Sequence, residues 1–280
     1  MPQKSIYLPE MTVEQVRQQA SEALLLVPVA ATEQHGPYAP LHTDISNVTE
    51  ICLATAKQCP TEAQCQVLVA SPLWFSPSPF DAQAFPASVQ MRESVFKDAL
   101  GDILESYLRS GFRKLVVVSG HGGDTEWMIR NVVRRLNAGR FCLYPDWTPT
   151  QSYRVVCLEW WCLVSEFAGE QLARIRPRPP ANDNHGGDIE VALQLHLHPE
   201  LVDMSKAKPG ARSRPSQFAP DDLSTWHRQF VVTGYYAHWE GGEVPAIGGD
   251  ATAATPELGR AVFDLAVRTL VAFLQEFAAA

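Results

Sequence analysis

"ALLLVPVAATEQHGPYAPLHTDISNVTEICLATAKQC", Ala23 to Cys59, changes its periodicity half-way along. The opening ten residues are almost continuously apolar, which suits a strand covered on both faces. From Asp44 onward the apolar residues recur at helical spacing, at Ile45, Val48, Ile51 and Cys52, and predict a helix. Between the two lie Glu33, His35, His42 and Asp44. So many metal-binding side chains at the end of a buried strand call for a chemical reason as well as a structural one.

The same alternation continues outward from this unit. "CQVLVASPLWF" (65–75), "RKLVVVSG" (113–120) and "SYRVVCLEWW" (152–161) read as further strands. "ESVFKDALGDILESYLRSG" (93–111), "DTEWMIRNVVRRLNAG" (124–139), "DIEVALQLHL" (188–197) and "GRAVFDLAVRTLVAFLQEF" (259–277) read as helices. Two of these have glycine stops, at Gly111 and Gly139. Apolar strands alternating with helices predict an α/β fold, with a mostly parallel sheet between two helical layers. The Pro-rich stretches 174–184 and 206–222 sit between elements and show no change in composition. Residues 1–280 are therefore expected to form one domain with long functional loops.

Bulk properties exclude several functions. The 280 residues are 46% hydrophobic and 19% charged, with a formal net charge of -8. No basic block marks a nucleic-acid partner. No apolar run approaches the roughly 18 residues that span a bilayer. The polar N-terminal stretch lacks a signal-peptide pattern, so a cytoplasmic location is expected. The six cysteines, Cys52, Cys59, Cys65, Cys142, Cys157 and Cys162, contain no C-x-x-C pair and read as reduced thiols.

Three segments place polar side chains where a strand or loop runs into a helix: 30–44, "VVVSGHGGDTEW" (116–127) and "ANDNHGGDIEVAL" (181–193). In an open parallel sheet the C-terminal strand ends line one crevice, so these distant segments can converge. Glu33 and His35 are two apart, which puts them on one face of an extended chain. Asp44 opens a helix, where a carboxylate is favoured. Imidazole and carboxylate donors without thiolate suit zinc, manganese or iron. More than one carboxylate allows two ions about 3.5–4 Å apart, with one Asp between them. The bland alternatives are a surface Glu33, a loop His35 and plain tight turns at the Gly-Gly pairs. A phosphate loop is a rival reading of both turns, but they lack the G-K-[ST] ending and the G-x-G-x-x-G spacing. Trp160 and Trp161 could be core or the aromatic wall of a pocket. Arg174, Arg176 and Arg178 could face an acidic substrate or water. His196 and His198 read as ordinary, and His227 and His238 stay unassigned.

At "PVAATEQHGPYAPLHTD" (28–44), "VVVSGHGGD" (116–124), "NHGGDIEVALQLHLHPELVDMSKA" (184–207) and "GGDATAATPELGRAVFDLAV" (248–267) the sequence resembles the creatininase, or creatinine amidohydrolase, family. The resemblance implies a three-layer α/β/α domain and a binuclear zinc, manganese or iron centre. It also implies a homo-oligomer, often a hexamer, and hydrolysis of a carbon–nitrogen amide bond in a small substrate. Carried over by position, Glu33, Asp44 and His121 would hold one metal, and His35 with a shared Asp44 would hold the second. Creatininase proper has a glutamate two residues after the histidine of the second block, where this chain has Gly123. Glu190 matches a glutamate of the third block and is the expected replacement, with Asp124 and Asp188 as substitutes. His185 matches a histidine assigned to proton transfer, a task that Glu33 or Glu190 could take instead if either is not a full ligand. Gly122, Gly123 and Asp124, with the two tryptophans, are the expected substrate contacts. Departures at His42, Ser119, Asp124, Asn184 and in "DAQAFPAS" (81–88) leave the metal half intact and the substrate half altered, so creatinine itself is one alternative substrate. A non-catalytic metal-site binding protein is the other alternative.

Overall fold

In the computed structural model, which describes residues 5–59, 66–78, 85–123, 125–176, 183–213, 217–218 and 239–279, the opening apolar run forms β1 (Leu24–Val29). It pairs in parallel with β2 (Val67–Val69) on one side and β3 (Lys114–Ser119) on the other. β4 (Arg154–Glu159) extends the sheet beyond β3, giving the order β2-β1-β3-β4, all parallel. Pro28 is tolerated near the middle of the sheet for a geometric reason. Its carbonyl accepts from Leu73 N, so its missing N–H faces the side on which the β2 ladder has already ended.

Period-two alternation divides the strand side chains between two cores. Leu24, Leu26, Val67, Val69, Val116 and Val118 point to one face. There they meet α2 (Thr43–Gln58), α5 (Trp160–Phe167), α6 (Gly169–Ile175), α7 (Asp188–Leu197) and α8 (Pro256–Ala279). Leu25, Val27, Leu68, Leu115, Val117 and Val155 point to the other, against α3 (Glu93–Arg109) and α4 (Thr125–Asn137). A short α1 (Val13–Gln19) precedes β1, and its Thr12–Gln15 capping box ties down the first turn. This is the three-layer arrangement predicted from the alternation. Two strands of two residues each, β5 (Arg212–Ser213) and β6 (Trp239–Glu240), form a separate antiparallel pair. Among the described residues no helix is long and apolar enough to cross a membrane, and Cys52, Cys142, Cys157 and Cys162 are free thiols. Cys65 lies outside the described residues.

Two expected elements end early. Of the described residues in the run 65–75 only Val67–Val69 forms a strand. The run 152–161 was expected to stay extended through both tryptophans, but β4 stops at Glu159 and Trp160 opens α5. Both indoles are buried, packed edge-to-face at 5.8 Å among Val164, Leu172, Ile189 and Val262. The tertiary surroundings bury both indoles within the apolar core.

Candidate metal centre

Parallel strands deliver their C-terminal ends to one side of the sheet. β1 leads into Glu33 and His35, β3 into His121, and the first turns of α2 and α7 carry Asp44 and Glu190. Two glycines make the close approach possible. Gly120, just after β3, lies under α2, and a Cβ there would sit 2.8 Å from Asp44 O and Val48 Cγ1. Gly186 adopts a φ of +63°, a conformation that a side chain would strain. His185 is held by a two-way backbone bridge to Gly248, with N···O distances of 3.0 and 2.9 Å.

The six side chains converge. Asp44 Oδ1 lies 2.9 Å from His35 Nε2, and its Oδ2 lies 3.2 Å from His121 Nδ1. Glu33 Oε1 is 3.0 Å from His121 Nδ1 and 3.6 Å from His185 Nδ1. Glu190 Oε2 is 3.5 Å from His35 Nε2 and accepts from Gly186 N at 2.7 Å. Three donor sets have their ligand atoms within 4.8 Å of one another: Glu33–Asp44–His121, His35–Asp44–Glu190 and Glu33–His35–His185.

The far nitrogen of each imidazole meets a backbone carbonyl. His35 Nδ1 lies 3.2 Å from Glu33 O, His121 Nε2 3.2 Å from Pro77 O, and His185 Nε2 2.8 Å from Gln34 O. A carbonyl only accepts, so His35 Nδ1 and His121 Nε2 carry a proton, whereas His185 Nε2 also lies 3.0 Å from the Gln34 side-chain amide nitrogen, a donor. The other ring nitrogen faces the carboxylates, the position from which a metal ion would take a lone pair in place of a proton.

The electrostatics agree with this. Glu33, His35, Asp44 and Glu190 are no more than 9% exposed, and burying charge is costly unless it is compensated. Burial raises the Glu33 carboxyl, but His121 and His185 beside it outweigh that and hold it well below the usual carboxylate range. Burial lowers His35, but the charge and hydrogen bond of Asp44 push it up to about 10. His121 is driven well above the usual imidazole range, since Glu33 and Asp44 overcome the effect of its burial. Burial lifts Glu190, with His35 opposing. The carboxylates thus draw protons onto the imidazoles, at the positions where a cation would supply the positive charge. Nitrogen and oxygen donors, buried acids and oriented imidazoles all fit a divalent metal.

Other expected residues fall elsewhere. Gly122 and Gly123 form the half-exposed turn beside His121, whereas Asp124, Arg178, His227 and His238 lie outside the described residues. Asp188 does not join the cluster. It pairs with buried Arg176 at 2.8 and 3.1 Å. Arg174 bonds exposed Glu170. His196 packs on the ring of Phe263 and His198 on that of His42. Sequence reasoning missed Ser78, whose hydroxyl donates to Glu33 Oε2, and Tyr38, whose hydroxyl donates to Gly186 O at 2.8 Å. No spacing signals either one, because both act across the fold.

A sequence profile for the family described as creatinine amidohydrolase (Creatininase) matches residues 9–274. The chain belongs to the creatininase family. A 3-dehydro-scyllo-inosose hydrolase of Thermotoga maritima is 25% identical to it over 265 residues, 90% of this chain and 77% of that protein. Creatinine amidohydrolase of Pseudomonas putida is 25% identical over 226 residues, 79% of this chain and 81% of that protein. A creatininase variant solved in a zinc–zinc form shares the creatininase-family fold, with a TM-score of 0.73 at 23% identity and 98% coverage of both chains.

Proposed function

We propose that residues 1–280 form a single-domain, metal-dependent amidohydrolase that cleaves the carbon–nitrogen bond of a small amide. The observation that carries this reading is the division of Asp44, one oxygen toward His35 and the other toward His121. In this reading Glu33, Asp44 and His121 hold one divalent ion, and His35, Asp44 and Glu190 hold a second. Two relatives are named for small molecules, creatinine and 3-dehydro-scyllo-inosose, of which creatinine is the one with a carbon–nitrogen bond to cleave, and others are named as mycofactocin precursor peptide peptidases. The first two support a small-molecule substrate, and the zinc–zinc creatininase supports the metal type. Divalent ions in such a site lower the pKa of water and polarise a carbonyl oxygen.

The protein side chains do the rest. Ser78 and His121 fix the two oxygens of Glu33. His185 Nε2 sits against the Gln34 carbonyl and side-chain amide and Nδ1 faces Glu33; in this reading Nδ1 takes a proton from the attacking water and passes it to the departing nitrogen. In the same reading the backbone N–H groups of the Gly122–Gly123 turn would receive developing negative charge. A cytoplasmic homo-oligomer belongs to the same reading and is checked by light scattering.

The test is elemental analysis of untagged protein, followed by a panel of cyclic amides, formamides and short peptides. Two equivalents of zinc, manganese or iron and turnover on a non-peptide amide are expected. One equivalent would remove Glu190 from the ligand set. No metal, even after it is offered back, would end the reading.

A further inference from the structure

Asp188 and Glu190 are two residues apart on α7, which at 3.6 residues per turn places them about 200° apart around the helix axis. Glu190 faces the carboxylate–imidazole cluster. Asp188 faces Arg176, the C-cap residue of α6, in a two-point ion pair at 2.8 and 3.1 Å. Arg176 is 7% exposed and Asp188 5%. We propose that the Arg176–Asp188 pair is a positioning device that fixes the rotation of α7 and so aims Glu190 and His185 at the metal centre. This proposal rests on the two-metal reading above.

The segment needs such a device. Between His185 and Asp188 lie Gly186, with a φ of +63°, and Gly187, which have little stiffness of their own. Asp183 anchors the near end: its Oδ2 accepts from Ile189 N at 3.2 Å, and its carboxylate fills the space where a Cβ on Gly187 would lie. Tyr38 holds Gly186 O. These contacts fix the loop, but the ion pair with Arg176 grips the helix on the side opposite Glu190. A planar fork that meets both carboxylate oxygens resists rotation, which a single ammonium does not.

The experiment compares the full-length protein with Arg176→Lys, Asp188→Asn and the paired apolar replacement Arg176→Met/Asp188→Leu. Replacing both partners of a buried ion pair by apolar groups recovers stability that single changes lose, so the double variant separates folding from aiming. Zinc retained after dialysis against a chelator series, kcat and the exchange rate of the Gly186 amide are measured on each. All three variants should lose one zinc equivalent about 10–100-fold more readily, the usual effect of removing an outer support. kcat should fall while the other equivalent stays. The double variant should regain the wild-type melting temperature without regaining zinc or turnover. Its Gly186 N–H, which bonds Glu190 Oε2 at 2.7 Å, should exchange at least about ten-fold faster than in wild type. If zinc, turnover and protection return together with stability, the pair is only a stabiliser and the proposal falls. Should wild type hold fewer than two equivalents, the two-metal reading fails separately, and unchanged Gly186 protection would then overturn the positioning role.

Discussion

At the scale of single residues, the informative detail is which ring nitrogen is occupied. His35, His121 and His185 each meet a backbone carbonyl on one nitrogen and the acidic cluster on the other. If His121 and His185 differ in role, they must differ in consequence. His121→Ala should lose metal and activity together. His185→Ala should keep its metal and lose about 10²–10⁴ in kcat; full turnover in that variant would show that the proton comes from elsewhere. The His35–Asp44 contact makes a second prediction, about pH. Free imidazole titrates near about 6.5, whereas His35 is pushed up to about 10 in the metal-free fold. A raised pKa adds stability that is fully present below about 6.5 and lost as pH climbs through about 10. Metal takes the place of that proton. Metal-stripped protein should therefore lose melting temperature between pH 7 and 10, and loaded protein should not. Parallel melting curves for the two forms would contradict the shared site.

At the scale of elements, α7 matters most because it carries Glu190 and packs tightly against α8. Gly259 permits that closeness: a Cβ there would overlap the Ala192 carbonyl. Gly259→Ala should therefore force α8 off α7 and cost about 1–3 kcal/mol, as overpacking in a filled core does. A urea midpoint that drops with an unchanged slope would report this, while an unchanged midpoint would mean that the crossing is looser than the structure indicates. Asn47 and Gln194 pair at 2.7 Å between α2 and α7, so a shift of α7 should reach Asp44 through α2. Sheet and helix assignments at this scale were largely legible from the sequence. The continuous apolar runs became strands and the 3.6-period runs became helices, because both patterns are set by backbone geometry over a few residues. The end of β4 was not legible. "EWW" is compatible with strand or helix, and burial of both indoles against Val164, Leu172, Ile189 and Val262 decided for α5.

At the scale of the whole molecule, the centre joins β1, α2, β3 and α7 from positions 33 to 190. A metal bound there would cross-link four elements that are far apart in sequence. Binding only to the folded state at 100 times Kd adds about 2.7 kcal/mol. At about 2–4 °C per kcal/mol for a chain of 150–250 residues, chelation should lower the melting temperature by several degrees in one cooperative transition. A chelated protein that melts at the same temperature would place the metal, if any, outside this cluster.

The sequence alone determined the layer architecture, the strand ends at which chemistry would gather, and the names Glu33, His35, Asp44, His121, His185 and Glu190. The architecture, the junctions and Glu33, His35, Asp44 and His121 follow from local periodicity and from donor types clustered at strand–helix junctions, whereas the choice of His185 and Glu190 within 185–190 follows from the resemblance to the creatininase family. Only the tertiary structure decided that Asp44 divides between two imidazoles, that Asp188 turns to Arg176 while Glu190 turns inward, that Ser78 and Tyr38 brace the site, and that Trp160 and Trp161 belong to the core. Each of those outcomes depends on a partner at least nine residues away in the chain, and ring orientation, ion pairing and burial are fixed by such distant partners rather than by neighbours in sequence.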